Sequence, residues 1–169
     1  MAACEGAGLT RTNSGLTVSS SILTHRQAVA LSDRQYAAAV HLLDGKFYAQ
    51  AVARGYYSLY TLVNFVVRRR PDWPGPTWRD GSPRPDIQHE DMPGYVQRAL
   101  QSTTGHSLVP RDGRIDATEL LAQRIAADYL GYQEITEELA HRLLQNCLAL
   151  RGVLLSTAHQ HQNDPIRSD

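Results

Sequence analysis

Two short segments of this sequence bring together residues that could bind a phosphate or move a proton. Arg124, Asp128 and Tyr129 lie together in RIAADY, and His89 lies in DIQHED. An arginine binds a phosphate through paired donors, and a histidine accepts a proton near neutral pH. Tyr129 can hydrogen-bond a phosphate, but its pKa of about 10 makes it a poor base near pH 7. Side chains of these types could together bind a phosphate and assist a proton transfer.

Arg124 also has a purely structural interpretation. On an ideal helix Asp128 lies on the same side as Arg124, whereas Tyr129 lies about 140 degrees around the axis. An Arg124–Asp128 ion pair within one helix contributes only about 0.2–0.5 kcal/mol. From the sequence alone, a phosphate site and an ordinary ion pair both stay open.

Composition argues against several classes of protein. The chain has 169 residues and no net charge, which indicates one domain without a broad basic surface for nucleic acid. Its two cysteines form neither a disulfide framework nor a metal-ligand spacing. The N-terminus lacks the pattern of a signal peptide, and the longest apolar stretch, YYSLYTLVNFVV, is too short to cross a bilayer. We therefore expect a cytoplasmic protein with no membrane partner, no cofactor and no metal.

The chain divides into a central helical region and two polar ends. Residues 1–22 are small and polar and predict a flexible tail, and residues 158–169 predict a second polar tail. Residues 23–157 carry helical periodicity without a convincing strand pattern. Within them, residues 71–90 hold five of the eight prolines, a density that predicts a long loop.

These patterns predict an all-α fold, an antiparallel bundle of four long helices plus a short helix. Ser32 and Gln35 form a capping box for the first helix, and DGK at 44–46 predicts the turn of a helical hairpin. Thr136 is expected to cap the last helix. The remaining helices are expected at about 46–70, 91–101 and 115–132.

The second helix has two different faces. Its apolar stripe is expected to face the core and consists of Val52, Tyr56, Leu59, Val63 and Val66. The opposite side carries a polar stripe, which consists of Gln50, Arg54, Tyr57, Thr61, Asn64 and Arg68. The polar stripe could pack within the chain or could meet a second subunit or a ligand, with Arg54, Tyr57, Thr61 and Asn64 as the candidate contacts. Gly55 costs roughly 1 kcal/mol of helix propensity relative to alanine, which suggests that another helix approaches closely there.

Three segments of this chain resemble signatures of the HEPN-domain proteins. AVARGYYSLY is similar to the first signature at Ala51, Arg54, Tyr56 and Tyr57, and RIAADY is similar to the second at Arg124, Ala127, Asp128 and Tyr129. ITEELA resembles the start of the last long helix of the family, and His89 stands before a short helix as in other members. The resemblance covers about residues 28–157.

The resemblance implies a helical bundle that commonly forms homodimers. It also implies kinship with toxin–antitoxin and phage-defence modules. Many relatives are metal-independent ribonucleases, whereas others pair with a minimal nucleotidyltransferase as the antitoxin. RNA, a nucleotide and a nucleotidyltransferase are therefore the partners that the resemblance implies.

The nucleolytic members carry a histidine four to six residues after an arginine, and this chain has Tyr129 at the matching place after Arg124. His89 could supply the missing imidazole from elsewhere in the fold. RPDIQH places Arg84 and His89 at the family's spacing. Pro85 prevents the expected helix there, so this pair is interpreted as a chance match.

Three functions follow as hypotheses. The first is a HEPN-like toxin or defence component that cleaves RNA without metal, by attack of the ribose 2′-OH. For this function the resemblance implies a site around Arg124, with help from Tyr129, Asp128 or His89. The second is a non-catalytic helical binding module that pairs with a nucleotidyltransferase or binds a nucleotide. The third is a plain interaction domain.

Overall fold

The computed structural model describes residues 23–70, 72–84, 86–104, 117–130 and 135–164. Within these ranges the chain is helical and contains no strand beyond an isolated bridge between Thr77 and Pro83. The helices are α1 (His25–Asp44), α2 (Tyr48–Val67), α3 (Met92–Thr104), α4 (Ala117–Ile125) and α5 (Glu137–Gln160). A 3-10 turn (His89–Asp91) leads into α3, and a π-helical turn (Ala126–Leu130) continues α4. The prediction of an all-α fold is confirmed for this part of the chain.

The first helix begins earlier than predicted. Thr24 is its N-cap, and Thr24 and Gln27 form the reciprocal capping box that the sequence analysis assigned to Ser32 and Gln35. Ser32 instead lies fully buried inside α1, where its hydroxyl donates to the Ser58 carbonyl at 2.8 Å. Both segments fit the capping pattern, and only the one at Thr24 occurs where the chain enters the helix.

The turn between α1 and α2 lies where DGK predicts it. α1 ends at Asp44, and Lys46 has φ 64, the left-handed conformation that reverses the chain. Because only residues 45–47 connect the two helices, α1 and α2 form a hairpin.

The apolar stripe of α2 is the centre of the core. All five residues are fully buried: Val52, Tyr56, Leu59, Val63 and Val66. The helix packs against α1, α4 and α5, so its apolar face is enclosed by the helices around it. This part of the sequence analysis is confirmed.

Gly55 lies where α5 approaches α2, as predicted, but the available space does not require glycine. Cys147 on α5 donates through its thiol to the Gly55 carbonyl at 3.0 Å. A methyl group on Gly55 would lie 3.5 Å from Cys147 Sγ and 3.6 Å from Leu144 Cδ1, which are ordinary contact distances.

A buried polar network joins α1, α2 and α5. The Arg151 side chain donates to Asp33 Oδ1 at 2.5 Å and to the Ser32 hydroxyl at 3.2 Å. Ser32 donates onward to the Ser58 carbonyl. Because Arg151 is 6 % exposed and bonds both Asp33 and Ser32, it fixes the relative position of three helices.

The last helix is capped by Thr136, as predicted, because the Thr136 side chain accepts from the Leu139 amide. The helix continues to Gln160, and Thr157 and Ala158 are fully buried. It therefore extends slightly into the segment that the sequence analysis assigned to a polar tail. The predicted tail at 1–22 and the end of the chain at 165–169 lie outside the described residues. None of the described helices combines the length and the apolar character that a membrane span requires.

Candidate active site

The proline-rich loop carries His89 to the polar stripe of α2. Asn64 Oδ1 accepts the Ile87 amide at 3.0 Å, and the Tyr60 hydroxyl donates to the Ile87 carbonyl at 2.7 Å. Arg68 forms an ion pair with Asp86 at 3.1 Å. Ile87 itself is buried. Asp86 and Ile87 at the end of the loop are thus bonded to α2. The 3-10 turn that begins at His89 follows two residues later.

His89 lies against three tyrosines of α2. Its Nδ1 is 2.8 Å from the Tyr56 hydroxyl, and either group can be the donor, depending on the tautomer. The imidazole ring centre lies 4.5 Å from the Tyr60 ring centre and 6.0 Å from that of Tyr57. The ring is half-buried, so it is held in place while part of it stays accessible.

Arg124 reaches the same tyrosines from α4. Its Nη2 donates a short hydrogen bond to the Tyr57 hydroxyl, and its Nε lies 3.0 Å from Asp128 Oδ2. The guanidinium carbon lies 5.3 Å from the Tyr57 ring centre and 5.7 Å from that of Tyr56. Arg124 and His89 therefore meet on one pair of aromatic side chains, and the predicted Arg124–Asp128 ion pair is present.

The environment keeps His89 neutral near pH 7. Burial lowers the pKa of His89 below its ordinary value, and the Arg124 guanidinium lowers that pKa further, while Asp128 acts in the opposite direction. Burial also raises the pKa of Tyr56 and of Tyr60, so both hydroxyls keep their protons. These effects favour a neutral imidazole beside protonated tyrosines.

Asp128 and Tyr129 belong to the π-helical turn that follows Ile125. Such turns inside helices occur frequently at functional sites. The side chain of Tyr129 lies outside the described part of the structure, so its predicted role is untested. Asp128 forms an ion pair with Arg124. This contact is expected both for a structural ion pair and for a phosphate site around Arg124.

A shallow depression of about 510 Å³ opens beside His89. Its lining consists of Tyr60, Arg84, Asp86, Ile87, Gln88, His89 and Glu90. Arg84 and His89 thus border one space, although the described residues between them form no helix. The Arg84 guanidinium lies 4.3 Å from the Trp78 ring centre, which positions it at this edge.

Two residues of this depression, Arg84 and Tyr60, were not among the site residues predicted from the sequence. The Arg84–His89 spacing was interpreted as a chance match because Pro85 prevents a helix there. The fold of the loop nevertheless places Arg84 and His89 at the same depression. Tyr60 was not singled out, although its position one helical turn from Tyr56 and Tyr57 places all three on neighbouring surface. The Arg84–His89 spacing was the only available signal for Arg84.

The polar stripe of α2 is covered unevenly. Arg54 is exposed and bonds Gln35 at 3.1 Å, away from His89. Tyr57 bonds Arg124, and Thr61 donates to the Tyr57 carbonyl at 3.0 Å. Asn64 holds the loop at Ile87. The chain itself therefore supplies partners for the middle and end of the stripe, and the exposed part lies towards the start of α2.

Within the described ranges, no group of three histidine, cysteine or acidic side chains could hold a metal ion. Comparisons of the chain with family models, with curated proteins and with solved structures found no match.

Proposed function

We propose that this protein is a metal-independent RNA endonuclease, a HEPN-like toxin or defence component that acts in the cytoplasm. The observation that carries the proposal is the position of His89, which borders one depression with Arg84 and contacts tyrosines that also contact Arg124. A neutral imidazole with an arginine nearby is suited to deprotonate a hydroxyl next to a phosphate.

The reaction starts at the ribose 2′-OH. His89 Nε2 accepts the 2′ proton, and the 2′ oxygen forms a bond to the adjacent phosphorus. The bond from phosphorus to the 5′ oxygen breaks, and that oxygen takes a proton from water. The products are a 2′,3′-cyclic phosphate and a 5′-hydroxyl, and His89 returns its proton to solvent.

The proposed step requires the His89 tautomer that carries its proton on Nδ1, and the Tyr56 oxygen can accept that proton. If Nδ1 carries the proton and donates it to the Tyr56 oxygen at 2.8 Å, Nε2 has a lone pair to accept the 2′ proton. The raised pKa of Tyr56 keeps the phenol neutral throughout. Tyr56 is therefore a positioning residue for His89.

Arg84 and Arg124 have different roles in this proposal. Arg84 borders the depression and contacts the non-bridging phosphate oxygens, where it balances the charge that develops during attack. Arg124 is 5 % exposed and is engaged with Tyr57 and Asp128, so it acts behind the imidazole and disfavours its protonation. We therefore assign Arg124 the role of positioning His89, in place of the phosphate contact expected from the sequence.

The direct experiment is cleavage of a mixed-sequence, 5′-labelled RNA by the purified chain in excess EDTA. We expect cleavage with 2′,3′-cyclic phosphate ends, and no cleavage of the same oligonucleotide in 2′-O-methyl form. Cleavage that depends on added metal, or that leaves a 3′-hydroxyl, would contradict the mechanism. The protein must be freed from any bound antitoxin before the assay.

The second candidate is a non-catalytic module that pairs with a nucleotidyltransferase or binds a nucleotide. The burial of Arg124 favours it, because a deeply buried, paired arginine is also what a structural ion pair requires.

Under either function we propose a homodimer, with the exposed start of the polar stripe at Gln50 and Arg54 as its contact. Pure protein that cleaves no RNA but forms a stable complex with a nucleotidyltransferase would favour the non-catalytic binding module.

A further inference from the structure

Trp78 is an exposed aromatic side chain held by an ordered turn. Half of its surface, 50 %, is exposed. Its amide donates to the Ser82 carbonyl at 2.8 Å, and its carbonyl accepts the Gly81 amide at 2.9 Å. Gly81 has φ 84, a conformation that favours glycine. The turn thus presents the indole in a fixed place rather than on a free loop.

Trp78 lines a second groove, of about 460 Å³, next to the His89 segment. Arg79 and Arg98 lie in the same lining, together with Tyr95, Glu90 and Asp91. A volume of this size is within the usual range for small-ligand sites. The exposed Trp78 indole offers a stacking surface, and the two arginines among acidic groups offer donors for an anion.

The groove adjoins the depression beside His89. Gln88 and Glu90 line both of them, and Arg84 in the depression contacts the Trp78 ring. A chain molecule that occupies the groove can therefore extend to His89. This adjacency favours a ligand made of repeated units over a single small molecule.

We propose that this groove binds a nucleotide of single-stranded RNA next to the scissile phosphate, with its base stacked on Trp78. Every base has a face that stacks on an aromatic ring, so the contact is tolerant of sequence. Arg79 and Arg98 contact the flanking phosphates, and Glu90 and Asp91 accept from amino groups of the base. The inference names the substrate of the proposed reaction and so rests on that function, but binding is measured without cleavage.

The mixed charge of the groove shapes the expected salt dependence. Two arginines lie among two acidic residues, so few phosphate charges are neutralised. For single strands the affinity falls with salt by a slope of about −0.7 for each neutralised phosphate. Arg79 and Arg98 in the groove and Arg84 at the scissile phosphate together neutralise about three phosphates, so we expect a slope of about −2.1. This slope is shallower than that of a protein with a broad basic surface.

The experiment is a fluorescence titration of the full chain with a mixed-sequence 2′-O-methyl oligonucleotide, which the proposed reaction cannot cleave. The chain has two tryptophans, and Trp73 is buried whereas Trp78 is exposed. We expect saturable quenching in the wild type and little in Trp78→Phe, whose emission comes from Trp73. Binding of a labelled oligonucleotide, measured by anisotropy, should persist within a few-fold in Trp78→Phe because phenylalanine still stacks.

Trp78→Ala should weaken oligonucleotide binding roughly five- to hundredfold, the usual effect of removing one base-stacking residue. The matched control is Leu148→Ala, which removes an exposed apolar side chain from α5 and should leave affinity unchanged. Thermal unfolding of each variant confirms that it is folded. No quenching in the wild type, or equal affinity in Trp78→Ala, would overturn the proposal and leave Trp78 as a contact for another kind of partner.

The two proposals fail in different ways. Trp78-dependent binding without cleavage of unmodified RNA would retain the groove and reject the ribonuclease. Cleavage at the wild-type kcat/KM in Trp78→Ala would retain the ribonuclease and reject the groove.

Discussion

His89→Gln is expected to lower the rate of RNA cleavage by on the order of a hundredfold, which is the usual contribution of a positioned general base. Glutamine keeps a polar group near the Tyr56 hydroxyl but cannot accept the 2′ proton at neutral pH. The fold should be retained because His89 is half-buried at the end of the loop. The measurement is the single-turnover cleavage rate in EDTA, together with the thermal unfolding midpoint.

His141→Gln is the matched control for this substitution. His141 is exposed on α5, and its nearest acidic partner, Glu137, lies 3.9 Å away. The same chemical change there should leave the cleavage rate unaltered. Equal rates for wild type and His89→Gln would remove His89 from the reaction and with it the proposed mechanism.

Arg84→Ala is expected to lower the cleavage rate about tenfold to hundredfold. It removes a charge-assisted phosphate contact worth roughly 1.5–3 kcal/mol, and each 1.36 kcal/mol corresponds to about tenfold in rate. Arg34→Ala, on the exposed side of α1, removes an equal charge far from the depression and is the control. If Arg84→Ala and Arg34→Ala cleave equally fast, another group must contact the phosphate.

Arg124→Ala separates positioning from phosphate contact. Because Arg124 is buried and paired, its loss should lower the thermal unfolding midpoint, whereas Arg84→Ala should change that midpoint little. Removal of the Arg124 charge also leaves Asp128 near His89, which raises the pKa of the imidazole. If Arg124→Ala lowers the cleavage rate but changes neither the thermal unfolding midpoint nor the pKa of His89, Arg124 would again be the phosphate contact.

The helices could be predicted because their signals are local. The apolar stripe of α2 follows helical period, and every member is buried. Thr136 was recognised as an N-cap because side-chain capping depends on the next few residues only. Ser32 shows the limit of local patterns, since a serine with the right neighbours is buried inside α1.

The site could be predicted only in part, because its assembly depends on contacts between distant segments. Arg124 and Asp128 are one helical turn apart, and their pairing was anticipated. The approach of His89 depends on Asn64 and Tyr60, which hold Ile87 from another helix. Nothing in the loop sequence specifies that attachment. The contact of His89 with Tyr56 and the position of Arg84 therefore could not be predicted from local sequence patterns.

The pH dependence of cleavage tests the central claim most directly. The base must be unprotonated, and burial and Arg124 lower the pKa of His89, so kcat/KM should rise with pH and level off. The midpoint of this acid limb should fall below 6.5, the ordinary value for histidine, and should move upward in Arg124→Ala. An acid limb centred above 6.5, or one that persists unchanged in the residual activity of His89→Gln, would contradict the account.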